Sequence, residues 1–416
     1  MMNTAGIRKL LATPTGAALA GVWVLLALYF VTAGISPSTF QSNWDAYSEA
    51  NALRAGQCYA EEGFFKEGGL PNTTYGEMFP YYGHEGVKEG EYGFKYKQQR
   101  YTHYPPGPDF LSGLYHLLLP ADWVWAMRFF PFLFFGIALS WLLLVLRRQF
   151  GEWAAVFTGA FLMLTPAVVY MLGNLHLHSY VTSLLLVEVA LLIKWLSGNK
   201  RALGWLALTG FVQGWMSFDW CFVVVFAPVP LAYVLAKDGR PATLKMIWPI
   251  LVLGLGFSFA HLLHFFQVAA YYGSFGQAVN DLTGSAAHRS GEDSGGRLTL
   301  LRMFVQEQYL AQFFNAYSPG AVSLVLFSGM LATGLLHRLG IRGLIERIRP
   351  HRAEWAGVGA AIVIALLWGF AMPQHGLEHV FVLHRHFLLP LLCLLLIAAK
   401  RLPRGEPETE EEAPRE

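Results

Sequence analysis

IWPILVLGLGFSFAHLLHFFQVAAY occupies residues 247–271 and contains no Asp, Glu, Lys or Arg. A helix crosses the hydrocarbon core of a bilayer with about 20 apolar residues, so this stretch is long enough to span one. Over the 416 residues of the chain, 54% are hydrophobic and 14% are charged. Soluble domains carry roughly 25% charged residues. The sequence therefore predicts a protein whose main solvent is a membrane.

Nine further segments are apolar enough to be predicted as membrane helices. They lie near residues 17–34, 123–146, 153–172, 179–196, 203–220, 221–236, 321–336, 355–370 and 387–399. The segment near 17–34 is longer than the apolar region of a secretory signal and lacks a small-residue cleavage site, which favours a retained helix. The predicted fold class is an all-α polytopic membrane protein with about ten transmembrane helices and a large first extracytoplasmic loop.

The basic residues fall in alternate connections between these segments. With both termini in the cytoplasm, Arg147, Lys194, Lys237, Lys400 and the basic run 338–352 all lie in cytoplasmic connections, as the positive-inside rule requires. The predicted organisation is a cytoplasmic N-terminus and first helix, an extracytoplasmic loop, a helix bundle with three outer loops, and a disordered cytoplasmic tail. These parts cover residues 1–34, 35–122, 123–400 (outer loops 166–178, 272–319 and 373–386) and 401–416. A composition rich in Ala, Leu and Gly is compatible with a bacterial inner membrane.

Several classes of function are disfavoured by what the sequence lacks. No basic tract with interleaved aromatic residues indicates nucleic-acid binding, and the cysteines at 58, 221 and 393 are too far apart for a zinc ribbon or a disulfide framework. The sequence lacks the internal repeat that would favour a secondary transporter, and charged residues deep in the spans are scarce. The chemistry is therefore predicted at the outer surface.

The first outer loop begins with a helical pattern that carries two acidic residues. Asp45 and Glu49 are four residues apart, so on a helix they share a face, where one could act as a base while the other tunes it or holds a metal. The alternative is that Asp45 caps the helix. The same loop ends in His103-Tyr104-Pro105-Pro106, where the two prolines fix an extended turn ahead of an amphipathic segment near 110–119.

This order of motifs resembles the GT-C glycosyltransferases, and more narrowly the bacterial relatives of protein O-mannosyltransferases and of the lipid A aminoarabinose transferase. The match continues in the Arg-bearing start of the second span at Arg128 and in Leu164-Thr165-Pro166. The resemblance implies that an acid in the first outer loop acts in sugar transfer, and it gives that place to Asp45. Ala46 stands where the family commonly has Glu. Between the motifs, residues 58–99 are interpreted as turns and short strands, either capping the site or passive.

Cationic residues on the outer side are candidates for binding a phosphate. His384, Arg385 and His386 precede the last span, and a guanidinium offers phosphate oxygens a planar fork of donors. The alternative for the side chains of 384–386 is snorkelling at the interface. Arg128 is a second candidate for the phosphate. A further set, His288, Arg289, Arg297 and Arg302, lies where the topology rule predicts few cations and so favours an anionic ligand.

The remaining candidates are ambiguous. His176 and His178 could both ligate a metal only from a non-helical segment, against the alternative of hydrogen bonding to headgroups, phosphate or neighbouring loops. Asp219 is either a cap or a second acid of the site. His261 and His264 share a helix face and are interpreted as hydrogen-bonded core residues. No cofactor is required by the sequence, and a divalent metal is left open.

The predicted function is transfer of a sugar from a polyprenyl-phosphate donor to a lipid, glycan or protein acceptor. Asp45 would be the base, Glu49, His103, Tyr104 and Asp219 would support it or bind the acceptor, and the cationic residues would stabilise the departing phosphate. One alternative is a transporter or flippase for a lipid-linked or anionic solute. Another is a catalytically silent member of the same fold, suggested by Ala46.

Overall fold

The structure of the chain is a computed structural model. It describes residues 10, 12–35, 46–66, 68–73, 75, 100–165, 168, 172–175, 177–236, 241–291, 351–378 and 385–403. The predicted span near 321–336 lies outside these residues, as does the tail beyond 403. The described part is a bundle of helices with one isolated antiparallel bridge, between Asn72 and Arg100.

Fourteen helices are used to describe the bundle. They are α1 (Pro14–Tyr29), α2 (Ala46–Cys58), α3 (Gly107–Leu118), α4 (Phe129–Phe150), α5 (Glu152–Met163), α6 (Leu177–Leu196), α7 (Ala202–Met216), α8 (Cys221–Phe226), α9 (Pro228–Val234), α10 (Ile247–Tyr272), α11 (Phe275–Ser290), α12 (Arg352–Ala371), α13 (Pro373–Glu378) and α14 (Leu388–Ala399).

Among the described residues, 5 helical stretches are long and apolar enough to cross a membrane: Pro14–Thr32, Val124–Phe150, Leu177–Leu196, Thr243–Tyr272 and Arg352–Ala371. Two shorter apolar helices are α5 and α14. The predicted all-α polytopic membrane fold is confirmed, because these stretches coincide with predicted spans. The chain is an integral membrane protein.

Some predicted elements are shorter or differ in kind. The segment near 221–236 is two short helices separated at Ala227, because Pro228 and Pro230 have no N–H to continue the hydrogen-bond ladder of α8. In the segment near 153–172, helix α5 ends at Met163, just ahead of Pro166 in the sequence. In the first loop the predicted acidic and amphipathic helices are confirmed as α2 and α3. The start of 58–99 is not a turn or strand: the helix continues as a π-helical turn, Tyr59–Gly63.

The predicted cytoplasmic connections meet at one end of the bundle. Trp195 Nε1 donates to the Lys245 carbonyl at 2.8 Å, Ser197 Oγ donates to Gln149 Oε1 at 2.9 Å, and Lys400 Nζ donates to the Val234 carbonyl at 2.8 Å. We call this the basic end. Residues of the predicted outer loops meet at the other end, which we call the loop end and define by Tyr104, Asp219, Asp281 and His375.

Glycine allows the tightest helix packing in the bundle, between α7 and α10. A Cβ at Gly256 would clash with the Ala207 carbonyl oxygen, and one at Gly210 would clash with the Leu253 carbonyl oxygen. Small residues at such positions let backbones approach closely inside a membrane. This packing fixes the loop-end terminus of α7, from which the chain turns into Asp219.

Candidate active site

The acidic helix α2 is fastened to α3 by a close crossing. A Cβ at Gly56 would clash with the side chain and backbone of Ser112, so no larger residue fits there without a shift of the helices. His116 Nε2 lies 3.1 Å from the Leu53 carbonyl oxygen, and since a carbonyl only accepts, the ring donates from Nε2. Burial lowers the pKa of His116. The second half of α2 is thereby fixed against α3.

Glu49 and Arg128, predicted as separate site residues, form one buried ion pair. Arg128 Nε donates to Glu49 Oε1 at 2.8 Å, and Nη2 donates to Oε2 at 2.5 Å. The side chains are 0% and 1% exposed, and the Leu175 N–H donates to Glu49 Oε1 at 3.2 Å. A bidentate pair of this kind is strong and directional. It ties the first loop to the start of α4 and occupies both carboxylate oxygens of Glu49. Asp45 lies outside the described residues.

The turn that carries His103 and Tyr104 is anchored on both sides. The Tyr101 N–H donates to the Pro71 carbonyl at 2.8 Å, and His264 Nε2 on α10 donates to the Thr102 carbonyl at 2.8 Å. His264 is therefore a hydrogen-bonded core residue, as predicted. Pro105 and Pro106 follow and lead into α3. The turn thus projects two side chains into the loop end from a rigid base.

Tyr104 belongs to a hydrogen-bonded chain that joins three elements. Its Oη lies 2.9 Å from His375 Nε2, and Trp368 Nε1 donates to His375 Nδ1 at 3.3 Å. Because an indole N–H only donates, Nδ1 accepts, and a neutral His375 must then donate from Nε2 to Tyr104 Oη. That leaves the Tyr104 hydroxyl proton to point elsewhere. Both carboxylate oxygens of the buried Asp219 lie 3.5 Å from Tyr104 Oη, a long contact.

The turn, α11 and α13 enclose a cavity of about 490 Å³ at the loop end. Its walls are Tyr101, His103, Tyr104, Asn280, Asp281, Gly284, Ser285, His288, Arg289 and His375. Cavities of roughly 300 to 1,000 Å³ suit small-molecule ligands. His103 Nε2 lies 3.4 Å from Asp281 Oδ1. Burial lowers the pKa of His103, and the carboxylate of Asp281 opposes that shift.

Arg385 and His386 are buried, at 3% and 1% exposure. Arg385 Nη1 contacts His178 Nε2, and because a guanidinium only donates, that ring nitrogen accepts. The ring of His386 packs edge-on against Trp220, and burial lowers the pKa of His386 to about 3. At neutral pH His386 is therefore uncharged. His384 lies outside the described residues.

The donor set in the described residues does not favour a metal centre. No group of three or more His, Cys, Asp or Glu side chains there could hold a metal ion. Of the two predicted candidates, His178 directs Nε2 to a guanidinium, and His176 lies outside the described residues.

The sequence predicted several residues of the site but not the side chains to which they are hydrogen-bonded. The sequence gives His375 no role beyond its place in the predicted outer loop 373–386, because its contact with Tyr104 joins residues 271 apart in the chain. Trp368 has no predicted role either, and it reaches this site only through its hydrogen bond to His375. A second omission is Glu188, fully buried in α6, which accepts from Gln213 Nε2 on α7 at 2.8 Å. An acidic residue inside an apolar span was the available signal, since such residues need a partner.

Comparison with known proteins gives one finding that bears on function. Residues 103–264 match the family described as dolichyl-phosphate-mannose-protein mannosyltransferase. The matched stretch runs from the Pro-Pro turn through Arg128 and Asp219 to His264, and it leaves out Asp45, Arg289 and His375. No curated protein matches the chain. The match agrees with the motifs and with the helical bundle: over these residues the chain is similar to membrane glycosyltransferases of the GT-C type.

Proposed function

We propose that the protein transfers a sugar from a polyprenyl-phosphate donor to a lipid, glycan or protein acceptor on the extracytoplasmic side of a bacterial inner membrane. The observation that carries the proposal is the loop-end cavity, because it is bounded by the turn at which the family match begins and by polar side chains suited to a sugar. Its volume of about 490 Å³ is within the range that suits a small-molecule ligand such as the sugar of the donor.

An apolar groove supports a lipid-linked donor. A second cavity of about 380 Å³ lies between α3, α4, α6 and α7, within the part of the bundle suited to hydrocarbon, and Leu111, Phe134, Trp141, Leu184 and Met216 contribute to its walls. It reaches the helix terminus that leads to Asp219. A lipid tail in this groove would remain in apolar surroundings while its phosphate stayed at the loop end.

The reaction is a displacement at the anomeric carbon of the donor sugar. The acceptor oxygen forms the new bond to that carbon, the bond between the carbon and the phosphate oxygen breaks, and the polyprenyl phosphate leaves with the electron pair. Asp45 takes the proton of the acceptor hydroxyl as general base. Asp219, Tyr104 and His103 orient the acceptor.

The geometry of Glu49 refines its part in this proposal. Since both of its carboxylate oxygens accept from Arg128, Glu49 does not serve as a second base in place of the Glu that Ala46 replaces. The ion pair instead positions the helix that follows Asp45. Arg128 is a positioning residue in the same sense, and Arg385 remains the candidate of the last outer loop for contact with the phosphate.

The test is transfer by the purified protein in lipid nanodiscs with a panel of labelled polyprenyl-phosphate sugars. We expect transfer from at least one donor, and a loss of about 10²- to 10⁴-fold in Asp45→Asn, the range for a general base. Asp122→Asn is the matched control, because Asp122 is an exposed acid of the same loop region. Normal transfer by folded Asp45→Asn would remove Asp45 as the base, and no transfer by the parent protein from any donor would overturn the proposed function.

A further inference from the structure

Arg289 is held in an unusual way at the wall of the loop-end cavity. It lies one residue before the end of α11, half-buried, with its guanidinium carbon 5.1 Å from the ring centroid of Tyr104 and 4.7 Å from that of Phe218. Cations over aromatic faces at this range are attracted by the ring quadrupole. Two rings from two different loops thus hold the guanidinium in place.

The hydrogen-bonding capacity of Arg289 is unused among the described residues. No hydrogen bond or ion pair joins its guanidinium to any residue that the structure describes. The nearby acid Asp281 is engaged instead with His103, at 3.4 Å. A guanidinium carries five N–H donors in a planar fork, and contacts through its face leave the donors on its edge available.

Two arginines predicted to bind phosphate, Arg128 and Arg385, differ from Arg289 in this respect. Arg128 is 1% exposed, and its N–H groups are directed at the carboxylate of Glu49. Arg385 is 3% exposed and contacts His178. Arg289 is thus the arginine of the described loop end that lines the cavity and makes no ion pair, and His288 and His103 lie beside it on the same wall.

We propose that Arg289 binds the phosphate group of a substrate in the loop-end cavity, with Tyr104 and Phe218 holding the guanidinium so that its edge faces the ligand. This rests on the proposed function, which supplies a phosphate-bearing substrate. The fork of Arg289 matches two phosphate oxygens, and a charge-assisted bidentate contact in a partly enclosed cavity is strong and directional. The phosphate belongs either to the lipid-linked donor or to a water-soluble acceptor.

Binding measured without turnover separates this inference from the proposed function. The probes are sugar-free polyprenyl phosphate in nanodiscs and inorganic phosphate in solution, titrated against the full-length protein. We expect Arg289→Gln to weaken binding roughly tenfold to hundredfold, as for loss of a hydrogen bond to a charged group. Arg289→Lys, which keeps the charge and loses the fork, should bind with intermediate affinity. The matched control is Arg148→Gln, an exposed cation at the basic end.

A second variant tests the aromatic contacts themselves. Phe218→Leu keeps the charge of Arg289 and removes one ring face, and we expect binding to weaken about twofold to fivefold. Because Phe218 also contacts Trp368, with ring centroids 5.2 Å apart, the fold of this variant is checked by its melting temperature. A drop in affinity with an unchanged melting temperature supports the proposed placement of the guanidinium.

The outcomes are distinct. A loss with polyprenyl phosphate assigns the phosphate to the donor, and a loss with inorganic phosphate alone assigns it to a soluble acceptor; both support the proposal. Unchanged affinity of Arg289→Gln for both probes overturns it. Should the parent protein transfer no sugar while Arg289→Gln still loses phosphate binding, the proposed function fails and the anion site stands. Should Arg289→Gln transfer sugar with an unchanged KM for the donor and with unchanged phosphate binding, the proposed function stands and the anion site at Arg289 fails.

Discussion

The ion pairs of the basic end and those of the loop end are built differently. At the basic end Glu354 is 1% exposed and receives hydrogen bonds from both Lys400, at 2.8 Å, and Arg401. At the loop end the cavity holds a half-exposed contact between His103 and Asp281 and a guanidinium, Arg289, without an ion pair in the described residues. Saturated charges stabilise a bundle, whereas charges left with spare hydrogen-bonding capacity beside a cavity are available to a ligand.

Glu49 and Arg128 are the exception that sharpens this comparison. They lie near the loop end, yet they are the most completely buried and saturated pair among the described residues. Position along the membrane normal therefore does not decide whether a charge is structural. The burial of the charge and the number of hydrogen bonds that it already makes decide whether it is structural.

The largest expected effect is on stability, from breaking this pair. Glu49→Gln leaves Arg128 buried without its counter-ion, and such a loss costs about 3 to 5 kcal/mol of the free energy of unfolding. The measurement is chemical unfolding in mixed micelles. The matched control is Lys66→Gln, because Lys66 and Glu62 form an exposed pair on the same loop, and we expect a change within about 0.5 kcal/mol there.

A double variant distinguishes the pair from its separate members. Glu49→Gln combined with Arg128→Met removes both charges, so we expect it to be more stable than Glu49→Gln alone. A double variant that loses the sum of the two single effects would mean that the side chains act independently, contrary to their hydrogen bonds.

An intermediate effect is expected at the basic end. Glu354→Gln should lower the free energy of unfolding by about 1 to 3 kcal/mol, the cost of hydrogen bonds to charged groups. The loss is smaller than for Glu49 because the side chains of Lys400 and Arg401 are 20% and 14% exposed and can recover contact with water. Equal losses in the Glu354 and Glu49 variants, measured by the same unfolding assay, would contradict the role given to burial.

Hydropathy was enough to predict the long spans, since a membrane requires long apolar helices whatever their partners. It predicted α6 and α10 closely, and the residue pattern predicted α2. It did not predict the break between α8 and α9, because a continuous apolar run obscured the effect of two prolines. Local residue patterns determine where helices form, and single residues such as proline determine where they end.

Side-chain partners were beyond the reach of the sequence. Glu49 and Arg128 were singled out for different roles, although they lie 79 residues apart in the chain and bind each other. Likewise Tyr104 was predicted as a site residue without its partner His375. A pattern gives the type and spacing of residues, whereas the role of a charge depends on what the folded chain brings to it. Asp45 stays a prediction.

The smallest expected effect concerns the exposed contact at the cavity. Burial lowers the pKa of His103 below its ordinary value of 6.5, with Asp281 opposing, so the folded protein binds fewer protons at this ring than the unfolded chain. The contribution of His103 to stability is then complete above about pH 6.5 and is lost as the pH falls through the lowered pKa. We expect His103→Asn to lose less stability than the parent protein between pH 7.5 and pH 5. Unfolding at both pH values measures this, with His288→Asn, an exposed histidine of the same wall, as the control. A steeper decline in His103→Asn than in the parent would show that Asp281, rather than burial, governs the ring, and the contact would then belong with the saturated pairs of the basic end.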